Sequence, residues 1–267
     1  MFPKPEKQGR RLVRAPLLRR DSMGASYHVL VFDAGEPIAV RAGNFAMVRG
    51  ASWGSAPLLA RPMSLVEGGS RPSILIKVVG EGTRRMAEAS PGELFDLLLP
   101  LGNSFSPCPP ELRPVLVAGG VGVAPLLFLA REMAAEGVRP IALYGGRTAN
   151  DLPLSDELEK VADLLVFTED GSRGEKGRVT VGLERELEKL GRRAKVYTCG
   201  PDRMMAAVAA ICEKLDVPCE ASVETPMGCG YGVCLGCPIE KRSGGYMYAC
   251  VEGPCMDAKE IAWEKGR

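Results

Sequence analysis

Histidine is almost absent from this chain of 267 residues; the only one is His28, in the alternating run Ser26–Phe32, where an exposed strand position accounts for it. Its isolation excludes histidine triads, histidine metal sites and paired-histidine acid–base chemistry, so any reaction must be carried by bound cofactors. A bias in charge is missing too. The formal net charge of +1 gives no electrostatic reason to expect nucleic acid as a partner. No apolar run approaches the roughly 18 residues of a membrane span, so no membrane partner is expected. The arginines near the start (Arg10, Arg11, Arg14, Arg19, Arg20) come without the apolar stretch of a signal peptide, and they read as the solvated face of a first strand. With nine cysteines and no export signal, a reducing, cytoplasmic compartment is expected. The apolar fraction of 46% is ordinary for a globular protein and suffices for sizeable cores.

What is abundant is cysteine in one place. Cys229, Cys234, Cys237 and Cys250 form a C-x4-C-x2-C-x12-C array. Four thiolates suit a 2Fe–2S cluster, and C-x4-C-x2-C is the plant-type ferredoxin spacing. The interleaved glycines let the backbone wrap tightly and aim N–H groups at sulfur. Structural zinc usually shows two short knuckles, whereas here three cysteines crowd together and the fourth stands apart. Zinc, a disulfide framework and unligated core cysteines are the competing readings. A cluster would make the chain part of a single-electron relay.

Residues 1–110 read as β-rich, with short segments such as Tyr27–Phe32, Phe45–Val48 and Ile74–Val79 split by Gly and Pro, the pattern of a small antiparallel barrel or sandwich. Thr83–Ala89 is the one helix expected there. Composition changes around Pro107, Cys108, Pro109 and Pro110. From 111 to 222 strands alternate with amphipathic helices, which implies a doubly wound parallel sheet. The Gly- and Cys-rich segment 223–267 is expected to depend on its metal to fold. The expected fold is thus multidomain: a β-barrel, an α/β domain and a small cysteine-rich module.

Two strand ends carry candidate binding turns. Pro114–Ala118 runs into Gly119, Gly120, Val121, Gly122, Val123, Ala124 and Pro125, then a helix. Such a turn lets backbone approach a pyrophosphate at a helix N-terminus, although Pro125 stands where a third glycine is usual. Tyr197–Pro201 forms a second turn through Cys199, Gly200 and Pro201, and Thr168–Ser172 closes a third strand on the same side. In the barrel, Arg61, Pro62, Met63 and Ser64 offer a guanidinium for a phosphate and a hydroxyl within reach of a flavin ring. Gly80, Glu81, Gly82 and Thr83 open the lone helix as a second phosphate site. A surface arginine and an ordinary helix cap remain the plain alternatives.

Together, Arg-Pro-x-Ser, Gly-Thr, Gly-Gly-x-Gly-x-Ala-Pro and Cys-Gly-Pro resemble the ferredoxin–NADP reductase superfamily. With the added cysteine module, the order is similar to the electron-transfer subunits of class B dihydroorotate dehydrogenases. Leu101–Phe105, Thr168–Ser172 and the run from Glu224 to Cys234 also fit that family, with Met63 and the extra Cys219 and Cys255 as small departures. The resemblance implies that Arg61, Pro62, Met63, Ser64, Leu75, Ile76, Lys77, Gly82 and Thr83 hold FAD. It implies that Gly119, Gly120, Gly122, Pro125, Cys199, Gly200 and Pro201 receive NAD, and that Cys229, Cys234, Cys237 and Cys250 ligate the cluster. No protein side chain is expected to be catalytic. The implied partner is a catalytic subunit that oxidises dihydroorotate on FMN, in a heterotetramer of two of each chain serving pyrimidine biosynthesis. Electrons would pass through the cluster and FAD to NAD⁺. Two alternatives stand beside this. One is the same machine in a sulfhydrogenase or a bifurcating ferredoxin–NADP oxidoreductase. The other is a zinc-stabilised, non-enzymatic binding module. Arg147 and Arg173 leave NADP open as the dinucleotide.

Overall fold

A computed structural model describes residues 9–24 and 26–263. The first part of the chain forms six antiparallel strands: β1 (Arg11–Met23), β2 (Tyr27–Phe32), β3 (Phe45–Gly50), β4 (Arg61–Glu67), β5 (Ser73–Lys77) and β6 (Leu94–Leu101). They close into a barrel in the order β1-β2-β5-β4-β3-β6, which leaves no free edge. Alternation places Leu17, Leu30, Phe32, Ile74, Ile76, Phe95, Leu97 and Leu99 inside. Of the outward arginines of β1, Arg11, Arg14 and Arg19 pair with acids, as Arg14 does with Asp96, and Arg20 donates to the Ala87 carbonyl. The expected helix is present as α1 (Glu81–Glu88), two residues earlier at its start and one at its end. Its Thr83 hydroxyl accepts the N–H groups of Val79 and Gly80, so the turn is fixed by its own side chain.

The second part alternates as expected: β7 (Arg113–Gly119), α2 (Val123–Ala135), β8 (Ile141–Gly146), α3 (Ser155–Val161), β9 (Asp163–Thr168), β10 (Glu175–Lys176), α4 (Val179–Leu190), β11 (Ala194–Cys199) and α5 (Asp202–Lys214). The helix α2 starts at Val123 rather than Leu126, because Pro125 falls in the first turn, where N–H groups need no helical partner. The helix α4 starts four residues before the expected Leu183; buried Val179 and Leu183 anchor a turn whose Thr, Val and Gly have weak helix propensity.

A short strand β12 (Cys219–Ser222) follows, then a hairpin of β13 (Pro238–Glu240) and β14 (Tyr246–Tyr248), and finally β15 (Cys255–Asp257). The large sheet runs β10-β9-β8-β7-β11-β12-β15. Its strands are parallel except β15, which pairs antiparallel with β12. The cysteine-rich segment therefore contributes an edge strand to the nucleotide-type sheet, which its composition did not suggest.

The parts share their cores. Tyr27, Val29, Leu75 and Phe105 from the barrel side pack in one cluster with Leu126 and Leu127 of α2. Phe45, Met47 and Leu101 join Cys237, Met247 and Cys250 in another. Beneath the sheet, buried Lys195 is held by Glu220 at 2.8 Å. Lys195 also reaches the Ser106 hydroxyl and the Pro107 carbonyl, and Glu220 accepts from Ser106, so one ion pair ties the linker to two strands. Removing one partner of a buried pair strands the other charge. Glu220→Ala should lower stability by about 3 kcal/mol in denaturant unfolding, and Lys195→Met combined with Glu220→Leu should recover most of it.

Candidate functional site

Parallel sheets bind ligands where strand order reverses, at the carboxyl ends of the strands. Here that point is β7, flanked by β8 and β11. The turns after β7 and β11 touch: a Cβ on Gly122 would fall on the Cys199 carbonyl, so only glycine lets the two close together. A cavity opens on each side of this contact.

The first cavity, of about 550 Å³, lies between barrel and sheet. Its walls include Pro62, Met63 and Ser64 of β4, Leu75, Ile76 and Lys77 of β5, and Thr83 of α1. They face Gly200, Pro201 and the segment Val223–Met227. Of the nine residues expected for FAD, Arg61 and Gly82 lie off this wall but against each other, the guanidinium resting on the glycine. Arg61 and Arg49 have no carboxylate partner among the described residues; their donors go to loop carbonyls of Trp53, Gly54, Leu58 and Leu59. Burial and the neighbouring Arg49 pull the Arg61 guanidinium below its usual basicity. Two uncompensated cations beside a helix start fit a pyrophosphate. Val79, 78% exposed and on the cavity wall, offers an apolar face to a ring system. These features fit FAD.

The second cavity, of about 520 Å³, is lined by Gly119 and Gly120, by Gly145, Gly146 and Arg147 after β8, and by Glu169, Arg178 and Arg203. Of the expected NAD residues, Gly119 and Gly120 line this cavity, Gly200 lines the first, and Pro201 lines both. Gly122 serves the turn contact, Pro125 is buried in α2, and Cys199 is 1% exposed and lines neither cavity. Burial raises the Cys199 thiol well above its ordinary range. Arg147 faces this cavity, whereas Arg173 is bound to Ser155 and Asp156. Glycine turns with arginines around them fit a dinucleotide.

The four cysteines lie together in the last lobe, Cys237 and Cys250 buried, Cys229 half-buried and Cys234 exposed. The sulfurs of Cys237 and Cys250 are 3.2 Å apart. Cys229 accepts N–H groups from Tyr231 and Cys234, and Cys234 accepts from Gly236. Burial alone would raise the Cys229 thiol, but amides of Cys234, Tyr231 and Val233 outweigh it and bring it to about 6, favouring thiolate. Burial and Cys237 push Cys250 to about 12. Among the described residues no three Cys, His, Asp or Glu converge as a single-ion site requires. Cys237 and Cys250 meet sulfur to sulfur, and the Cys234 amide meets the Cys229 sulfur; four thiols so grouped fit two irons with two sulfurs each. Gly230, at φ +81°, seats this loop on the barrel, for a Cβ there would strike Met47 at 2.5 Å.

Sequence reasoning assigned no role to Glu224, which lies on the first cavity's wall. Its carboxyl is reached by water through the open cavity, yet protein surrounds most of it, and burial and then Asp202 raise its pKa. Tyr27 and Asp151, on the second cavity, were also missed; 124 residues separate them, and no local pattern links them.

The fold defines a reductase of the ferredoxin–NADP type: a flavin-type barrel closed against a dinucleotide-type sheet, here with a four-thiol lobe. Residues 116–210 match the family model for an oxidoreductase NAD-binding domain, and residues 224–262 the model for the iron–sulfur cluster binding domain of dihydroorotate dehydrogenase B. Dihydroorotate dehydrogenase B (NAD(+)) electron transfer subunits are similar to this chain along most of its length. The one from Desulforamulus reducens is 34% identical over 78% of this chain and 82% of its own. The one from Clostridium acetobutylicum is 37% identical over 83% and 86%. A solved NADH-dependent reduced ferredoxin–NADP oxidoreductase, described for flavin-based electron bifurcation, superposes with a TM-score of 0.82 at 25% identity, covering 93% of this chain and 90% of that one. The chain belongs to the family of dihydroorotate dehydrogenase B electron transfer subunits. It is an NAD-linked oxidoreductase subunit that uses FAD and an iron–sulfur cluster.

The raised Glu224 pKa has a signed consequence. The folded protein holds this proton more tightly than the unfolded chain, so the associated stability is complete below the ordinary 4.5 and is lost as pH rises through the raised value. Glu224→Gln should remove that loss. Thermal unfolding of flavin-free wild type and variant should show the variant gaining relative stability as the pH is raised from about 4.

Proposed function

We propose that this chain carries electrons from the FMN of a dihydroorotate dehydrogenase catalytic subunit through a 2Fe–2S cluster and FAD to NAD⁺. The observation that carries the reading is a shared segment: Val223–Met227 walls the first cavity and leads within two residues to Cys229. Flavin exchanges both hydride and single electrons, whereas nicotinamide takes a hydride and an iron–sulfur cluster one electron. In this arrangement Arg61, Gly82 and Thr83 hold the flavin's pyrophosphate, and Pro62, Met63, Ser64, Leu75, Ile76 and Lys77 hold its ring and ribityl portions. Gly119, Gly120, Gly200 and Pro201 receive the dinucleotide, with Gly122 shaping the turn. Pro125 and Cys199 act through backbone placement rather than side-chain contact. Cys229, Cys234, Cys237 and Cys250 are the cluster ligands. The working units are residues 1–110 for flavin, 111–222 for dinucleotide and 223–267 for the cluster.

The partner surface is argued from the cysteine lobe. Tyr231, Val233, Leu235 and Val251 are exposed apolar residues in and beside the loop that carries exposed Cys234. Exposed apolar groups clustered on one face mark interaction sites. We place the catalytic subunit there, in a heterotetramer of two of each chain. None of the cysteines is bonded in a disulfide, and no helix among the described residues is long and apolar enough to cross a membrane. A cytoplasmic setting suits the free thiols. The bifurcating oxidoreductase remains the second reading on the strength of its structural likeness, but the curated relatives at 34% and 37% identity favour the first.

Absorption spectra with iron and sulfide analysis, followed by anaerobic NADH titration, test the relay. The wild type should bleach in both flavin and cluster bands. Cys250→Ser should lose iron and sulfide while its flavin still bleaches; failure of NADH to reduce either centre in wild type would sink the reading. Co-purification with a dihydroorotate-oxidising chain separates it from the alternative. Val233→Glu should leave NADH reduction of both centres intact and weaken capture of the catalytic chain by about tenfold or more, since a charge is desolvated at the contact.

A further inference from the structure

The two cavities share two wall residues, Lys77 and Pro201. Pro201 belongs to a rigid turn, but Lys77 is a barrel side chain whose ammonium must be held in place. Lys77 stands directly opposite Tyr27 in the β2–β5 ladder, so both side chains leave the barrel on one face. Its ammonium lies 5.0 Å from the centre of the Tyr27 ring. Both residues converge on one carboxylate from the other sheet. The Tyr27 hydroxyl donates to Asp151 at 3.0 Å, and Lys77 lies 3.5 Å from the same oxygen. On the far side, Arg147 reaches the second oxygen of Asp151 at 3.6 Å, and Thr148 donates to it at 3.5 Å. Asp151 is thus a polar bridge between barrel and nucleotide sheet, set at the junction of the two cavities. Burial works against its ionisation, but the Tyr27 hydroxyl, Lys77 and Arg147 outweigh this and keep it a carboxylate.

We propose that Asp151 is a positioning residue for hydride transfer: by clamping Lys77 and Tyr27 of the barrel to the sheet, it sets how closely the dinucleotide approaches the flavin cavity. The inference rests on the relay reading above. A hydride, two electrons and one proton moving together, passes from reduced flavin to NAD⁺ in the working direction and from NADH to FAD in the reverse. Its rate depends steeply on approach distance, and misplacement by about 1 Å can cost roughly 100-fold. Nothing in this role requires Asp151 to touch either ring.

Stopped-flow reduction of the flavin-loaded protein by NADH tests this, with amide hydrogen exchange of the flavin-free protein as a second readout. Asp151→Asn keeps the shape and removes the charge. Its limiting rate should fall about 10- to 100-fold, and exchange should quicken across residues 147–152. Its flavin content should hold, and its NAD⁺ affinity by calorimetry should stay within about threefold of wild type, so that the loss lies in the limiting rate and not in binding. Asp151→Glu, which retains a carboxylate, should recover much of the rate. Should Asp151→Asn not retain flavin, Tyr27→Phe decides, because it removes only the hydroxyl and should still slow the limiting rate measurably. An unchanged limiting rate, a weakened NAD⁺ affinity that accounts for the whole loss, or an equal loss in Asp151→Glu overturns the proposal. If NADH fails to reduce wild-type flavin, the relay reading fails instead, and hydrogen exchange still reports whether Asp151 clamps the two parts.

Discussion

The contact of Gly122 with the Cys199 carbonyl is the constraint on which the rest depends. Two strand-to-helix turns can sit this close only if one of them presents no side chain. Their union makes a ridge at the switch point of the sheet. On one side, Val121, Ala124 and Gly200 face the barrel; on the other, Gly119 and Gly120 face the open ends of β8 and β9. One ridge thereby divides the space into two cavities and keeps them adjacent, which a hydride donor and acceptor need. A larger residue at 122 would part the turns and merge or displace both sites.

The barrel's place against that ridge is settled by a mixed set of forces. Apolar packing of Tyr27, Leu75 and Phe105 against α2 supplies area but little direction, since the hydrophobic effect is non-directional. Direction comes from charged and hydrogen-bonded contacts at two ends. Lys195 and Glu220 hold the linker beneath the sheet, and Asp151 holds Tyr27 and Lys77 at its upper edge. The lower pair is buried and the upper one borders a cavity. The first therefore acts on stability, and the second on the geometry of a wet, ligand-bearing junction.

Much of this was legible in the sequence, and the reasons differ by region. Strands such as Tyr27–Phe32, Arg113–Gly119 and Ala194–Cys199 announce themselves as short, apolar runs bounded by turn residues, because they are buried along nearly their whole length. His28, expected at an exposed position, is buried in the first of them. The cysteine spacing is legible because sulfur ligation tolerates few patterns. The start of α4 was obscured by Thr180, Val181 and Gly182, whose local preferences are weak and were overruled by packing of Val179 and Leu183. The edge strand β15 was invisible, since three residues carry no periodicity and its place comes from pairing with β12. Asp151 was hidden for a related reason: two of its partners, Tyr27 and Lys77, lie on the barrel far away in sequence, and charge alone in a loop resembles ordinary solvation.

The cysteine lobe shows how far local chemistry and global placement must agree. Its amides prepare Cys229 as a thiolate, a property of the loop itself. Its usefulness comes from elsewhere: Gly230 rests on Met47 of the barrel, β15 anchors the lobe to the sheet, and Met227 reaches the first cavity. A cluster in this lobe is therefore tied to both larger parts at once. Electron transfer needs proximity and a fixed relation between centres but no side-chain chemistry of its own. That is why a chain with a single histidine can serve: what it supplies is spacing, and three kinds of contact enforce that spacing. Glycine allows close approach, paired charges give direction, and a short strand locks the lobe to the sheet.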